Sequence, residues 1–290
     1  MLRTIKFVLH HPFNKGHRFS AILNLLKWQL SSRARRLPVV HQFTQNSKLW
    51  AWNGLAGATG NIYCGLHEFE DMAFLLHLLR AGDLFIDIGA NIGSYSMLAS
   101  AEIGANTIAI EPVPKTYQHL TKNIALNNIG EKVTALNIGL SNKEGILKFT
   151  EMLDTANHVV DDETSAFIKV EVDTLDNILG GKEPILLKID VEGFEMNVLN
   201  GASKTLQSPA LKAIIIELNG SGLKYGFNDE DIDELLVDKG FKVMEYSPFK
   251  RELTEGSLNK VNNTLYVRDE SFVAARLKNA DTILIQNRPL

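Results

Sequence analysis

The stretch 84–96, LFIDIGANIGSYS, constrains the fold of this chain more than any other. Leu84, Phe85 and Ile86 are apolar at consecutive positions, the pattern of a parallel strand buried on both faces. Asp87, Gly89, Ala90, Asn91 and Gly93 follow, and then Tyr95, Met97, Leu98 and Ala99 give a helical pattern. A glycine turn between strand and helix lets a ligand approach bare main chain. The free N–H groups at the helix start suit a carboxylate or phosphate. A nucleotide-like cofactor is expected here, although two glycines alone also make a plain tight turn.

Spacing narrows the cofactor. A dinucleotide fingerprint needs G-x-G-x-x-G, whereas this turn reads D-x-G-x-x-x-G through Asp87, Gly89 and Gly93. Glu111 closes the next apolar run, Thr107–Ile110, eighteen residues beyond Gly93. A doubly wound fold puts a ribose-binding carboxylate at about that distance. The turn and Glu111 together resemble the S-adenosylmethionine (SAM) site of class I methyltransferases. On that resemblance Asp87 and Gly89 meet the methionine moiety and Glu111 meets the ribose. Asn91, Gly93 and Pro112 complete the wall, with Gly139 and Leu140 beside the adenine.

From residue 84 onward, apolar runs alternate with helical patterns. Strands are expected at 84–88, 107–111, 132–137, 185–190, 213–218, 241–246 and 263–268, and helices at 94–103, 114–127, 194–206 and 229–239. Such alternation argues for an α/β doubly wound, mostly parallel sheet with helices on both faces. Strand-like 145–150 and 168–172 flank a polar loop, 152–165, long enough to act as a lid. Upstream, 38–66 suggests turns and a hairpin, and a helix over 68–80 leads into the cofactor strand. Three units follow: a basic extension at 1–67, a catalytic domain at 68–268 and a tail at 269–290.

The second informative stretch is 185–202, ILLKIDVEGFEMNVLNGA. Asp190, Glu192 and Glu195 cluster at the carboxyl end of its strand, the edge where open α/β sheets bind ligands. Carboxylates so close repel unless a cation, a proton or a helix N-terminus offsets them. Glu192 and Glu195 also suit the first turn of the next helix. Strand 213–218 brings Glu217 and Asn219 to the same edge.

Residues 83–268 resemble the FkbM-type family of SAM-dependent methyltransferases, through FIDIGANIGSYS, IEPVP, VTALNIGLSNKEG, VDTLDNIL, LLKIDVEGFEMNVLNGA, IIIELN and NNTLYVR. The resemblance implies a seven-stranded sheet whose last strand runs antiparallel. It also implies methyl transfer to a hydroxyl, on a sugar, a glycan or glycolipid precursor, or a natural product. A hydroxyl is a poor nucleophile, so a positioned base or a metal would assist. Asp190, Glu192, His67 and His158 are candidates; Asp190 and Glu192 have the better position, as base or as ligands to a divalent cation. Trp52 reads as core, and His67 as a cap or a solvent-facing residue.

Other classes have specific marks against them. An NAD-dependent oxidoreductase would need the missing third glycine. A nucleic-acid methyltransferase acting on adenine would carry an aromatic N/D-P-P motif where Asp190-Val191-Glu192-Gly193 stands. A non-catalytic interaction protein would have no use for a complete cofactor turn.

Charge is unevenly spread. Residues 1–67 hold nine Lys or Arg and no Asp or Glu, leaving 21 basic and 34 acidic side chains to the rest. Phe19, Ile22, Leu23, Leu26 and Leu30 fall at helical spacing ahead of SSRARR, an amphipathic helix with a cationic end. It would either pack on the main domain or meet an anionic membrane surface or polyanionic glycan. A cleaved transit peptide would share its Arg-rich, acid-poor character. With one cysteine, Cys64, no internal disulfide can form, which fits a reducing compartment. No apolar run reaches the roughly eighteen residues a bilayer span needs. A cytoplasmic protein is expected, peripheral at the inner membrane face where residues 1–36 make contact, and free of specific nucleic-acid binding.

Overall fold

The computed structural model describes residues 2–34, 38–51, 56–150, 158–160, 167–258 and 263–290. Trp52, Arg35, Arg36, Asn262 and most of the 152–165 loop, with Asp161, Asp162 and Glu163, lie outside the described residues. At the N-terminus stand helices α1 (Leu2–His10) and α2 (Arg18–Ala34), a hairpin of β1 (Val39–Gln42) and β2 (Lys48–Ala51), and α3 (Ala56–Cys64). Helix α3 falls where turns were expected. Gly60 within it is required by packing, because a Cβ there would stand 2.2 Å from the His67 ring. Helix α4 (Phe69–Leu78) then precedes the main sheet.

The apolar runs become strands as expected: β3 (Leu84–Ile88), β4 (Asn106–Ile110) and β5 (Val133–Leu136) in the first half. Between them stand α5 (Ser94–Met97), which continues as a wider π-type turn over Leu98–Ile103, and α6 (Pro114–Leu126), opened by its proline. An excursion forms a separate four-stranded sheet from β6 (Gly139–Leu140), β7 (Gly145–Phe149), β8 (Val159–Val160) and β9 (Ile168–Asp173).

The second half runs through α7 (Leu175–Leu179), β10 (Leu186–Ile189), α8 (Glu195–Asn200), α9 (Ser203–Gln207), β11 (Ala213–Glu217) and α10 (Asp229–Asp238). The single helix expected over 194–206 is broken at Gly201. A Cβ there would lie 2.1 Å from the Ser141 carbonyl oxygen, so the chain comes too close to the excursion for a continuous regular helix. Strands β12 (Lys242–Ser247), β13 (Glu252–Glu255) and β14 (Asn263–Val267) close the sheet, before α11 (Glu270–Lys278) and a terminal hairpin of β15 (Leu284–Ile285) and β16 (Arg288–Pro289).

The main sheet has the order β13-β12-β14-β11-β10-β3-β4-β5, with β14 antiparallel to β11. The family resemblance implied seven strands; the eighth, β13, adds an edge hairpin through a turn in which Arg251 takes φ +56°. Alternate residues of the central strands feed opposite cores. Ile86, Ile88, Leu187, Ile189, Ile214 and Ile216 pack under α7 to α10. Phe85, Leu186, Ala213 and Ile215 pack under α4, α5 and α11. Phe13, Phe43, Leu49 and Leu66 from the N-terminal segment, and Ile283, Ile285 and Leu290 from the C-terminus, join this second core. Among the described residues no helix is long and apolar enough to cross a membrane.

Candidate active site

A cavity of about 340 Å³ opens at the carboxyl edge of β3, β4, β10 and β11. Its floor is the glycine turn. Gly89 takes φ +75°, and a Cβ there would lie 1.8 Å from the Asp190 carbonyl oxygen, so only glycine lets the β3 and β10 loops meet. The Gly89 and Ala90 amides donate to Ile110 O, tying the turn to β4. Asn91 also has positive φ, at +52°.

Glu111 is the best-organised acid in the cavity wall. Its carboxylate accepts from the amides of Asn91 and Val113, each at 2.9 Å, which leaves lone pairs toward the cavity. Burial pushes its carboxyl up to about 7 against the pull of those two amides. Asn137 holds the Glu111 and Pro112 carbonyls at 2.8 and 3.0 Å. Asp87 is buried beneath the turn and accepts from the Ser96 amide and hydroxyl at 3.0 and 2.6 Å; burial raises it to about 6. Gly139, Leu140 and Phe149 of the excursion sheet form another wall.

Of the residues expected to meet the cofactor, Asp87, Gly89, Asn91, Glu111, Pro112, Gly139 and Leu140 all line this cavity. Gly93 does not. It caps α5 at φ +87°, and a Cβ would stand 2.5 Å from Leu120, so backbone conformation and helix packing already call for glycine there.

Beside the cofactor wall lies a second group. Asp190, Glu192 and Glu217 each offer a carboxylate oxygen, and these three atoms all lie within 4.8 Å of one another. Glu192 sits at φ +53° in the turn after β10, followed by Gly193, whose Cβ would be 2.6 Å from Ser221 O. The expected third member, Glu195, folds back and accepts from the Val191 and Gly193 amides at 3.2 and 3.1 Å. It braces the turn and belongs to the scaffold. Glu217 takes its place. Burial, then Asp190 and Glu192, push Glu217 up to about 8, and its Oε2 is buried with no hydrogen-bond partner among the described residues. Burial raises Glu192 as well.

Lys188, fully buried, pairs with Asp190 at 3.0 Å and stands 5.3 Å from the Tyr95 ring centroid. His67 is exposed at the rim, its ring 5.2 Å from that of Phe7. His158 immediately precedes β8, which Tyr225 holds through its hydroxyl to Val159 O at 2.8 Å. Glu217 stands at the edge where the sequence places it, whereas Glu68, Tyr95 and Lys188, which also line the cavity, are not marked as site residues by the sequence. Glu68 lies outside any glycine or acid motif, Tyr95 reads as part of the helical pattern after the glycine turn, and Lys188 is one polar position inside an apolar strand.

Strand order, the antiparallel β14 and an acid-ended β4 facing a glycine turn together define a class I, Rossmann-like methyltransferase. The chain belongs to the FkbM methyltransferase family: residues 87–243, more than half of it, match the methyltransferase FkbM domain. It is 31% identical over 215 residues to the hexuronic acid methyltransferase AglP of Haloferax volcanii, covering 73% of this chain and 78% of that one. It is 26% identical to the 31-O-demethyl-FK506 methyltransferase FkbM of Streptomyces tacrolimicus, over 61% and 80% of the two chains. Among solved structures, the methyltransferase FkbM of Methylobacillus flagellatus aligns with a TM-score of 0.46 and 16% identity, over 72% of this chain and 52% of that one. Membership in this family implies SAM as methyl donor.

Proposed function

We propose that this enzyme transfers the methyl group of SAM to a hydroxyl of a sugar, glycan precursor or natural product. The observation that carries the reading is the adjacency of Glu111 and the Asp190–Glu192–Glu217 group in one cavity. Glu111, with lone pairs toward the cavity, suits a vicinal diol, because two hydroxyls donating to one carboxylate make charge-assisted bonds. The Gly89–Asn91 turn suits the amino-acid end, and Gly139 with Leu140 suits a flat apolar base. Bound SAM supplies an already activated methyl group.

The remaining work falls to this chain's own side chains. An acceptor oxygen must be held in line with the methyl group and must lose its proton as it attacks. Three carboxylates this close cannot all stay ionised without cost. Burial and like charge raise the proton affinity of Glu192 and Glu217, as a general base near neutral pH requires. Glu217 or Glu192 takes the proton, while Asp190, paired with Lys188, orients the acceptor. One relative is named a 31-O-demethyl-FK506 methyltransferase, which supports an oxygen acceptor, and another a hexuronic acid methyltransferase, which supports a sugar-derived one.

A second reading rests on the same three oxygens. Their spacing also suits a hard divalent cation, which takes carboxylate oxygens at about 2.0–2.6 Å. Asp190, Glu192 and Glu217 would hold it, and it would acidify the acceptor hydroxyl.

The test is methyl transfer from SAM carrying a deuterated methyl group to a panel of uronic-acid glycosides, neutral glycosides and RNA, read by mass spectrometry. Label on a glycoside hydroxyl is the expected result. Label on RNA or on an amine alone would refute the proposed acceptor.

A further inference from the structure

Helix α2 is apolar on two opposite sides, and the fold uses one of them. Ala21, Leu25 and Trp28 are buried in a small core with Val8, Ala58, Ile62 and Tyr63. Phe19, Leu23, Leu26 and Leu30 stand at i, i+4, i+7 and i+11, which puts them in one stripe on the far side. They are 79%, 39%, 45% and 72% exposed. Solvent exposure of a continuous apolar stripe is unfavourable and marks an interaction surface.

Charge indicates what covers it. Lys15, Arg18 and Lys27 are exposed on or beside α2, as are Arg3 and Lys6 on α1, and the first 67 residues contain no acidic side chain. A second copy docking stripe to stripe would bring two such cationic segments together, which like-charge repulsion opposes. A nucleic acid would satisfy the cations and leave the stripe wet. A bilayer with anionic headgroups satisfies both: the apolar stripe enters the headgroup–acyl boundary while Lys and Arg meet the phosphates.

We propose that the α2 stripe of Phe19, Leu23, Leu26 and Leu30, with its flanking cations, docks this enzyme on an anionic lipid bilayer. Helix α2 shares a core with Val8 of α1, and the α1 segment meets the active-site rim, where Phe7 packs on His67 and His11 Nε2 lies 3.2 Å from the His67 carbonyl oxygen. Docking therefore holds the cavity mouth in a set relation to the lipid surface.

The test is co-sedimentation of the full chain with phosphatidylcholine vesicles, with and without phosphatidylglycerol. The wild type is expected to pellet with the phosphatidylglycerol vesicles, less so as salt is raised, and to stay in solution with phosphatidylcholine alone. The Phe19→Glu/Leu30→Glu double variant is expected to lose at least about tenfold in partitioning, since charges replace the most exposed anchors. Its melting temperature should be unchanged, because both side chains already face solvent. Val237→Glu, at a residue 52% exposed on α10, controls for added negative charge and should bind as wild type. Equal vesicle binding by the double variant and the wild type would overturn the proposal. So would a wild type that ignores both vesicles, including one that instead forms a dimer which the double substitution dissociates.

Discussion

The Lys188 ammonium lies 3.0 Å from the Asp190 carboxylate, and the lysine is fully buried while the aspartate is 35% exposed. Register explains the placement: Lys188 pairs across the sheet with Asp87, and Asp190 follows where β10 ends. Burial opposes a charged lysine here, but Asp190, Glu68 and Asp87 outweigh it and raise the ammonium's affinity for its proton. One buried cation thus serves the acids on both sides of the cavity.

Replacing Lys188 by methionine should therefore cost on the order of 3 kcal/mol of stability in chemical denaturation, because it leaves acids uncompensated. Adding Asp190→Asn should recover part of that loss. A loss below about 1 kcal/mol would mean that solvent already screens these acids.

Glu217→Gln and Glu192→Gln separate base from scaffold. The variant that removes the base should keep its affinity for S-adenosylhomocysteine (SAH), while turnover falls by about 10²–10⁴-fold. Normal turnover in both would remove the carboxylate group from the mechanism. Full wild-type activity in EDTA would leave the base reading alone, and loss restored by a divalent cation would favour the metal reading.

The Glu111 carboxyl gives SAH binding a defined pH dependence. Diol hydroxyls donate to the ionised carboxylate, whereas burial holds its proton up to about 7 in the free protein. Below that pH, binding must expel the proton, so affinity should rise as pH climbs toward about 7 and level off above it. Titration calorimetry of Glu111→Gln should show a flat profile across the same range.

Two glycines with similar backbone angles should respond differently to alanine. Gly82, at φ +87° with no atom within 4 Å of a Cβ, carries only the left-handed strain of about 1–2 kcal/mol. Gly89→Ala adds a Cβ 1.8 Å from Asp190 O and should cost well over 3 kcal/mol or fail to fold. Similar thermal shifts in the two variants would show that the turn yields to the added carbon.

Much of this molecule was legible in the sequence, for identifiable reasons. The strands Leu84–Ile88, Leu186–Ile189 and Ala213–Glu217 are short apolar runs that only a sheet buried on both faces accommodates, and Gly89 and Glu111 flank the point where a ligand binds such a sheet. Gly93 meets a demand of φ and of packing on Leu120, and a glycine required by φ and one required by a ligand look identical in a sequence. For Glu195 the sequence leaves open the acid cluster or the first turn of the next helix, because adjacency along the chain does not say which carboxylate turns back on its own backbone. The stripe of α2 was visible, but periodicity alone could not show that Ala21, Leu25 and Trp28 take the buried side. Glu68, just ahead of α4, reaches the cavity through tertiary packing, which leaves no local signature.

The central claim is that Glu111 and the glycine turn form a SAM site, and SAH calorimetry on the wild type and Glu111→Gln tests it most directly. SAH should bind the wild type, and the substitution should weaken it by about 2–3 kcal/mol, roughly 30- to 150-fold, as a charge-assisted pair of hydrogen bonds is lost. Unchanged SAH affinity in Glu111→Gln, or a wild type that binds NAD but not SAH, would contradict the account.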